Sequence, residues 1–267
     1  MLRLCLSLVG ILVLAGCTAV DDGQIGPTDR PRPDRGGQDE GDDGDDTGDG
    51  NEGGNDDADD DGDGLTNGEE HDLGTDPNDA DTDGDGWDDG DELDENTDPT
   101  DGNDKPYAGG YPIDACRWDV ESTGMNVGDI AENFKLEDQH GEQVRLHDFC
   151  DHAIVVVGSA GWCGPCVSEA KVLARLQDKY EDQGLIIITL LAENSYGGTP
   201  SQADLEDWEA EAGYSGAPVL ADPGWGTESK YEQDGYIPTV SLLGPGAEML
   251  IKDGNVSESQ IKQVLPW

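Results

Sequence analysis

The chain has 267 residues, 62 of them acidic against 14 basic, which gives a formal net charge of −48. A polyanion of that sign is repelled by nucleic acid and excludes it as a partner, leaving cations as the natural ones. The length fits one ordinary domain plus a sizeable extra segment, and the two differ in kind, because more than half of the acidic residues fall between Asp21 and Asp104.

In chain order, Met1-Leu2-Arg3 precedes an apolar run from Leu4 to Ala15 and then Gly16-Cys17, the layout of a secretory signal too short to span a bilayer. Leu14-Ala15-Gly16-Cys17 resembles the bacterial lipobox, whose Cys becomes the first residue and carries acyl chains. That resemblance implies a signal over 1–16 and an anchor in the lipid bilayer at Cys17, in the bacterial cell envelope, with a plain secretory signal as the alternative. Residues 17–55 are Pro, Gly, Asp and Arg in low-complexity order and read as a disordered acidic linker.

Two copies of D-x-[DN]-x-[DN]-G-x5-E follow within 56–104. Alternate carboxylates at this spacing converge on a hard cation, the Gly permits a sharp turn, and the distal Glu binds with both oxygens, so calcium fits the ligand set. Asp59, Asp61, Asp63 and Glu70 are the expected ligands of one ion, and Asp81, Asp83, Asp85 and Glu92 of another. Asn67 and Asp89 stand where a water-mediated ligand is usual. With no long amphipathic helix flanking either loop, the segment resembles thrombospondin type 3 calcium repeats rather than paired helix-loop-helix sensors. A solvated acidic spacer is the competing reading.

From 107 to 267 the composition is globular. Phe134 to Glu137 and Gln143 to Leu146 predict a hairpin around Gly141, and Ala153 to Ser159 a buried central strand. A helix is expected after the Cys pair, with an apolar stripe of Cys166, Ala170, Leu173, Leu176 and Tyr180. Leu185 to Leu191 and Pro218 to Ala221 read as strands and Ser201 to Ala212 as a capped helix. Thr239 to Leu243 with Glu248 to Ile251 form a closing hairpin, and Ser257 to Leu265 a last helix. His71, His140, His147 and His152 show no ligand spacing and are expected in loops or at the surface.

Trp162-Cys163-Gly164-Pro165-Cys166 joins the central strand to that helix. A Cys at a helix N-terminus is favoured as thiolate, so Cys163 is the expected nucleophile and Cys166, one turn in, the resolving thiol. Neither a second C-x-x-C nor a His pair is present, which argues against a zinc site. With Cys5 removed in the signal and Cys17 acylated, four cysteines remain, and in an oxidising compartment an even set reads as two pairs, Cys163 with Cys166 and Cys116 with Cys150. In the alternative, Cys116 or Cys150 relays electrons.

Val127-Gly128-Asp129-Ile130-Ala131-Glu132-Asn133-Phe134, the Cys motif and Ile237-Pro238-Thr239 together resemble the thioredoxin superfamily, in its redoxin or membrane-anchored branch. The resemblance implies an α/β fold with a central mixed sheet flanked by helices, and a cis Pro238 facing the Cys pair. It also implies thiol-disulfide exchange on exported protein disulfides or dithiols, a transmembrane electron donor and no organic cofactor. Val157 stands where thioredoxins often carry a buried Asp, which leaves Glu169 or Glu193 as candidate proton acceptors. Neither the Pro nor the hydroxyl of the peroxiredoxin motif precedes Cys163, which disfavours a thiol peroxidase. The other competing reading is a calcium-dependent surface binding protein whose redoxin fold has lost catalysis.

Overall fold

The computed structural model describes residues 55–267; the expected signal, Cys17 and all of the linker but its last residue lie outside them. Each acidic repeat folds as a loop running into a short helix, α1 (Asn67–Leu73) and α2 (Asp89–Asp94). Carboxylates hold the loops in place of an apolar core. The Leu65 N–H donates to Asp63 Oδ1 at 2.7 Å, and the Trp87 N–H to Asp85 Oδ1 at 3.0 Å. Thr66 opens α1 with a capping box, its own N–H donating to Glu69 Oε2 at 2.8 Å. The repeats meet at Gly90, whose N–H donates to Asp63 Oδ2 at 3.1 Å. A Cβ there would lie 2.3 Å from the Asp63 carbonyl oxygen, so only glycine allows the approach.

Between the repeats and the next domain lies a buried charged knot. Arg117, 5 % exposed, pairs with Asp104 and stands 3.8 Å from Asp148, while Arg145 lies 3.6 Å from Asp104. The Tyr107 hydroxyl donates to Asp148, and Asn96 donates to the Ile113 carbonyl at 2.9 Å. The disulfide between Cys116 and Cys150 ties this approach segment to the turn Leu146–Phe149.

The globular domain is a thioredoxin-like α/β fold. Its hairpin, β1 (Lys135–Glu137) and β2 (Gln143–Arg145), stands apart from a five-stranded sheet. At the centre of that sheet β3 (Ala153–Ala160) is buried along its whole length. It pairs in parallel with β4 (Leu185–Glu193), which pairs in parallel with β5 (Val219–Ala221). On the other side it pairs antiparallel with β6 (Thr239–Gly244), followed by antiparallel β7 (Glu248–Ile251). Side chains alternate across this sheet. Val155 and Val157 face one core with α3 (Gly164–Tyr180), α4 (Gln202–Ala212) and α6 (Glu258–Val264). Ile154 and Val156 face the other, with Phe134, Val144, Tyr107 and Tyr231. Fully burying each such side chain contributes roughly 1.5–3 kcal/mol, which is why this β-branched run is the centre of the sheet.

Two of the histidines lie in connecting segments, yet neither is exposed. His147 is 2 % exposed with Nε2 2.9 Å from the Ala131 carbonyl oxygen, and His152 is 7 % exposed with Nδ1 2.9 Å from Asp114 Oδ2. A buried imidazole needs only a nearby hydrogen-bond partner, which leaves no spacing in the sequence to read.

Candidate active site

Cys163 is the N-cap of α3, where its Sγ accepts the Cys166 N–H at 3.2 Å. The two sulfurs are bonded as a disulfide. Cys163 is 4 % exposed and Cys166, on the apolar stripe, fully buried, so the first is the more accessible. Trp162 beside them is 53 % exposed. Opposite Gly158 of β3, the strand β6 begins directly after the cis Ile237–Pro238 peptide, and Ile237 packs against the core that contains both cysteines. Val157 is buried in that same core.

The parallel strands bring the segments that follow β3, β4 and β5 to one end of the sheet. There the Trp162 Nε1–H donates to Glu193 Oε2 at 2.7 Å, and the Trp225 Nε1–H approaches Glu193 Oε1 at 3.3 Å. The Gly161 N–H donates to the Glu193 carbonyl at 2.7 Å, fixing the end of β4 against the Cys loop. Glu193, expected as a candidate proton acceptor, thus spends its carboxylate on two indoles. Glu169 stands half-buried on α3, one turn beyond Cys166.

In the repeats the ligand atoms of Asp59, Asp61 and Asp63 lie within 4.8 Å of one another, as do those of Asp81, Asp83 and Asp85. Glu70 and Glu92 are fully buried. Both oxygens of Glu70, and one oxygen each of Glu92, Asp61, Asp83 and Asp85, have no hydrogen-bond partner, although Asp85 Oδ2 lies 3.8 Å from Lys105 Nζ. Burial first, then Asp61 and Asp63, pushes the Glu70 carboxyl up to about 7; burial, and less strongly Asp85 and Asp83, pushes Glu92 up to about 8. An all-oxygen set of buried, unpartnered carboxylates fits a hard divalent cation. Asn67 and Asp89 have another task. Asn67 Nδ2 donates to Asp60 Oδ2 at 2.9 Å, and Asp89 accepts the Thr82 N–H and hydroxyl at 3.0 and 2.7 Å, so both close their loops.

Residues 59–80 and 81–102 each match the bacterial TSP3 repeat, and residues 127–244 match the AhpC/TSA family. Residues 127–244 thus carry an AhpC/TSA-type redoxin domain. A ResA thiol-disulfide oxidoreductase from Bacillus thuringiensis subsp. konkukian is 32 % identical over 71 residues, 27 % of this chain and 41 % of that protein. The match thus spans about two fifths of that relative. ResA from Geobacillus thermodenitrificans is 29 % identical over 157 residues, 58 % of this chain and 85 % of its own. The thioredoxin domain of a thiol-disulfide oxidoreductase from Bacteroides vulgatus superposes with a TM-score of 0.43 at 18 % identity, covering 52 % of this chain and 95 % of that one.

Within the redoxin, a buried acid that the sequence reading passed over stands behind the cis-proline strand. Glu228 opens the short helix α5 (Glu228–Tyr231), is 3 % exposed, and leaves Oε1 without a partner. A Cβ at Gly158 would lie 2.3 Å from Glu228 Cγ and 2.2 Å from Thr239 Oγ1, so the Glu228 side chain occupies the space this glycine vacates. Burial raises its carboxyl to about 6, against a lowering hydrogen bond with Thr239, and Glu232, Asp222 and Asp253 push the same way as burial. The only cue in the sequence was a glycine within a β-branched strand.

Proposed function

We propose that the redoxin domain, over 107–267, is an extracytoplasmic thiol-disulfide oxidoreductase acting on disulfides of exported proteins. The observation that carries this reading is the Cys163–Cys166 pair at the start of α3, with the more accessible sulfur at the helix N-terminus. Once the pair is reduced, the helix N-terminus favours the Cys163 thiolate. That thiolate attacks one substrate sulfur, a Cys163–substrate bond forms, and the substrate disulfide breaks, its leaving thiolate taking a proton from solvent. Cys166 then gives its proton to solvent and attacks Cys163 Sγ, the mixed disulfide breaks, and the released substrate thiolate takes a proton, so the substrate leaves as a dithiol. Two electrons pass from protein to substrate, and a separate dithiol donor restores the pair. In the reaction tube dithiothreitol fills that role; in the envelope a transmembrane donor would.

Cys166→Ser tests the order of the thiols. Its reduced form should accumulate a covalent adduct through Cys163 that dithiothreitol releases, visible as a shifted band on non-reducing gels. Cys163→Ser should trap several-fold less. Capture by Cys163→Ser alone would reverse the roles.

Over 56–104, calcium is the cation the repeats would hold, through Asp59, Asp61, Asp63 and Glu70 in one loop and Asp81, Asp83, Asp85 and Glu92 in the other. The unpartnered buried carboxylate oxygens support this. When bound, the ion supplies charge neutralisation to residues that otherwise repel one another. The segment 17–55 acts as a tether from an acylated Cys17 after removal of 1–16. Mass spectrometry of the mature N-terminus tests this, and an unmodified Cys17 would refute it.

A further inference from the structure

Three exposed aromatic rings come from segments gathered around the cysteine pair. Trp162 directly precedes Cys163, Tyr196 lies in the loop after β4, and Tyr236 precedes the cis Ile237–Pro238 bond; they are 53 %, 96 % and 75 % exposed. That loop sits against the Cys segment through the Gly161 N–H bond to Glu193, and the Tyr196 N–H is turned in upon Asn194 Oδ1 at 3.0 Å. Exposed rings grouped beside a buried disulfide form a surface on which a partner can lie.

The charge around them has one sign. Between Lys179 and Lys230 there is no Lys or Arg, while ten Asp and Glu residues fall in that stretch, which contains β4, α4, β5 and the loops at the mouth. From Ala153 to Ala170, and again from Tyr231 to Ile251, no basic residue occurs. Lys230, at the border, is engaged with Glu132 at 2.8 Å. Asp204, Asp207 and Glu211 line a notch whose wall includes Gly161, two residues before Cys163. Glu193 stands between Trp162 and Trp225, and among the described residues its side-chain partners are neutral indole N–H groups rather than a cation. A carboxylate flanked by aromatic rings is what an ammonium or guanidinium group seeks: Coulomb attraction from the acid and cation–π attraction from the ring faces.

We propose that this mouth selects polypeptide disulfides carrying Lys or Arg beside the reacting cysteine, with Glu193 as the specificity-determining residue. The proposal rests on the oxidoreductase reading and deepens it. Glu193 acts by attracting the cationic flank while holding Trp162 in place; the exchange of sulfur bonds is the one described above.

The test uses the full chain, regenerated by dithiothreitol, and three substrates: a peptide disulfide flanked by Arg, the same peptide flanked by Glu, and a small neutral disulfide. At low salt the cationic peptide should be reduced with kcat/KM at least about tenfold above the anionic one, and the gap should narrow at 0.5 M NaCl, as screening requires. The acidic repeats and linker also attract cations, so the ratio is measured again in Glu193→Gln. One charge out of 48 leaves the overall field almost unchanged, whereas a local role predicts that the ratio falls several-fold. Gln retains an acceptor oxygen for one indole. Equal rates for the two peptides would overturn the selectivity, and a ratio unchanged in Glu193→Gln would overturn the role of Glu193. Failure on all three substrates, the neutral disulfide included, would instead sink the oxidoreductase reading.

Discussion

The acidic repeats and the redoxin domain solve the same problem with opposite means. In β3 and β4 nearly every side chain is buried and apolar, and the backbone groups are satisfied by neighbouring strands. In the repeats the most deeply buried side chains are Glu70, Asp89 and Glu92, and the apolar contribution is close to Leu65 alone. One unit carries its cohesion in its own atoms. The other gathers like charges, and unpartnered carboxylates inside a fold cost free energy until a counter-charge joins them. On the reading proposed above, cohesion of the repeats depends on a cation, and that of the redoxin does not.

Removing the cation should separate the two units most strongly. With excess chelator, residues 56–104 should become protease-sensitive and lose their circular dichroism signal, while the redoxin keeps its thermal transition and its Cys163 reactivity. Millimolar calcium should restore the first unit without altering the second. Repeats that stay protected in chelator would refute the dependence on metal.

A smaller effect is expected where the two units join. The Cys116–Cys150 bridge closes a separation of 34 residues beside the Arg117, Asp104 and Asp148 knot. Replacing both cysteines by Ser should lower redoxin stability by about 3–4 kcal/mol on the chain-entropy account, read as a reduced urea midpoint. Trapping of substrate by Cys166→Ser in that background should persist. If trapping is lost while the fold remains, the second pair relays electrons.

What could be read from the sequence follows the same division. Elements that depend on periodicity were legible, since the apolar stripe of α3 and the β-branched run of β3 state their burial directly. The loop carboxylates were legible as well, because alternation brings Asp59, Asp61 and Asp63 together within one short loop. Pairings across the sheet were not. Glu193 and Trp162 are separated by 31 positions, and their bond exists only because β3 and β4 end side by side. Asn67 and Asp89 occupy ligand positions by count, yet their side chains turn back to Asp60 and Thr82, a choice made by loop closure rather than by spacing. Glu228 was invisible because the four-residue helix that carries it has no periodicity to detect.

The smallest effect sharpens the comparison from inside the redoxin, where Glu228 is a single carboxylate placed as the repeats place many. Its carboxyl is raised to about 6 in the folded chain from an ordinary 4.5, mainly by burial. A raised acid favours the folded state only while protonated, so its contribution is fully present below the unfolded value and is lost as pH rises through about 6. At pH 7.5 the ionised group therefore costs stability, at most about 2 kcal/mol for a shift of this size. Glu228→Gln keeps the shape and a hydrogen-bonding oxygen for Thr239 while removing the charge. It should stabilise the redoxin by about 1–2 kcal/mol at pH 7.5, and the gain should shrink towards zero by about pH 4, below the unfolded value, as read from urea titrations at both pH values. Destabilisation by the substitution at pH 7.5 would mean that a cation accompanies Glu228 there, and the redoxin would then share the conditional cohesion of the repeats.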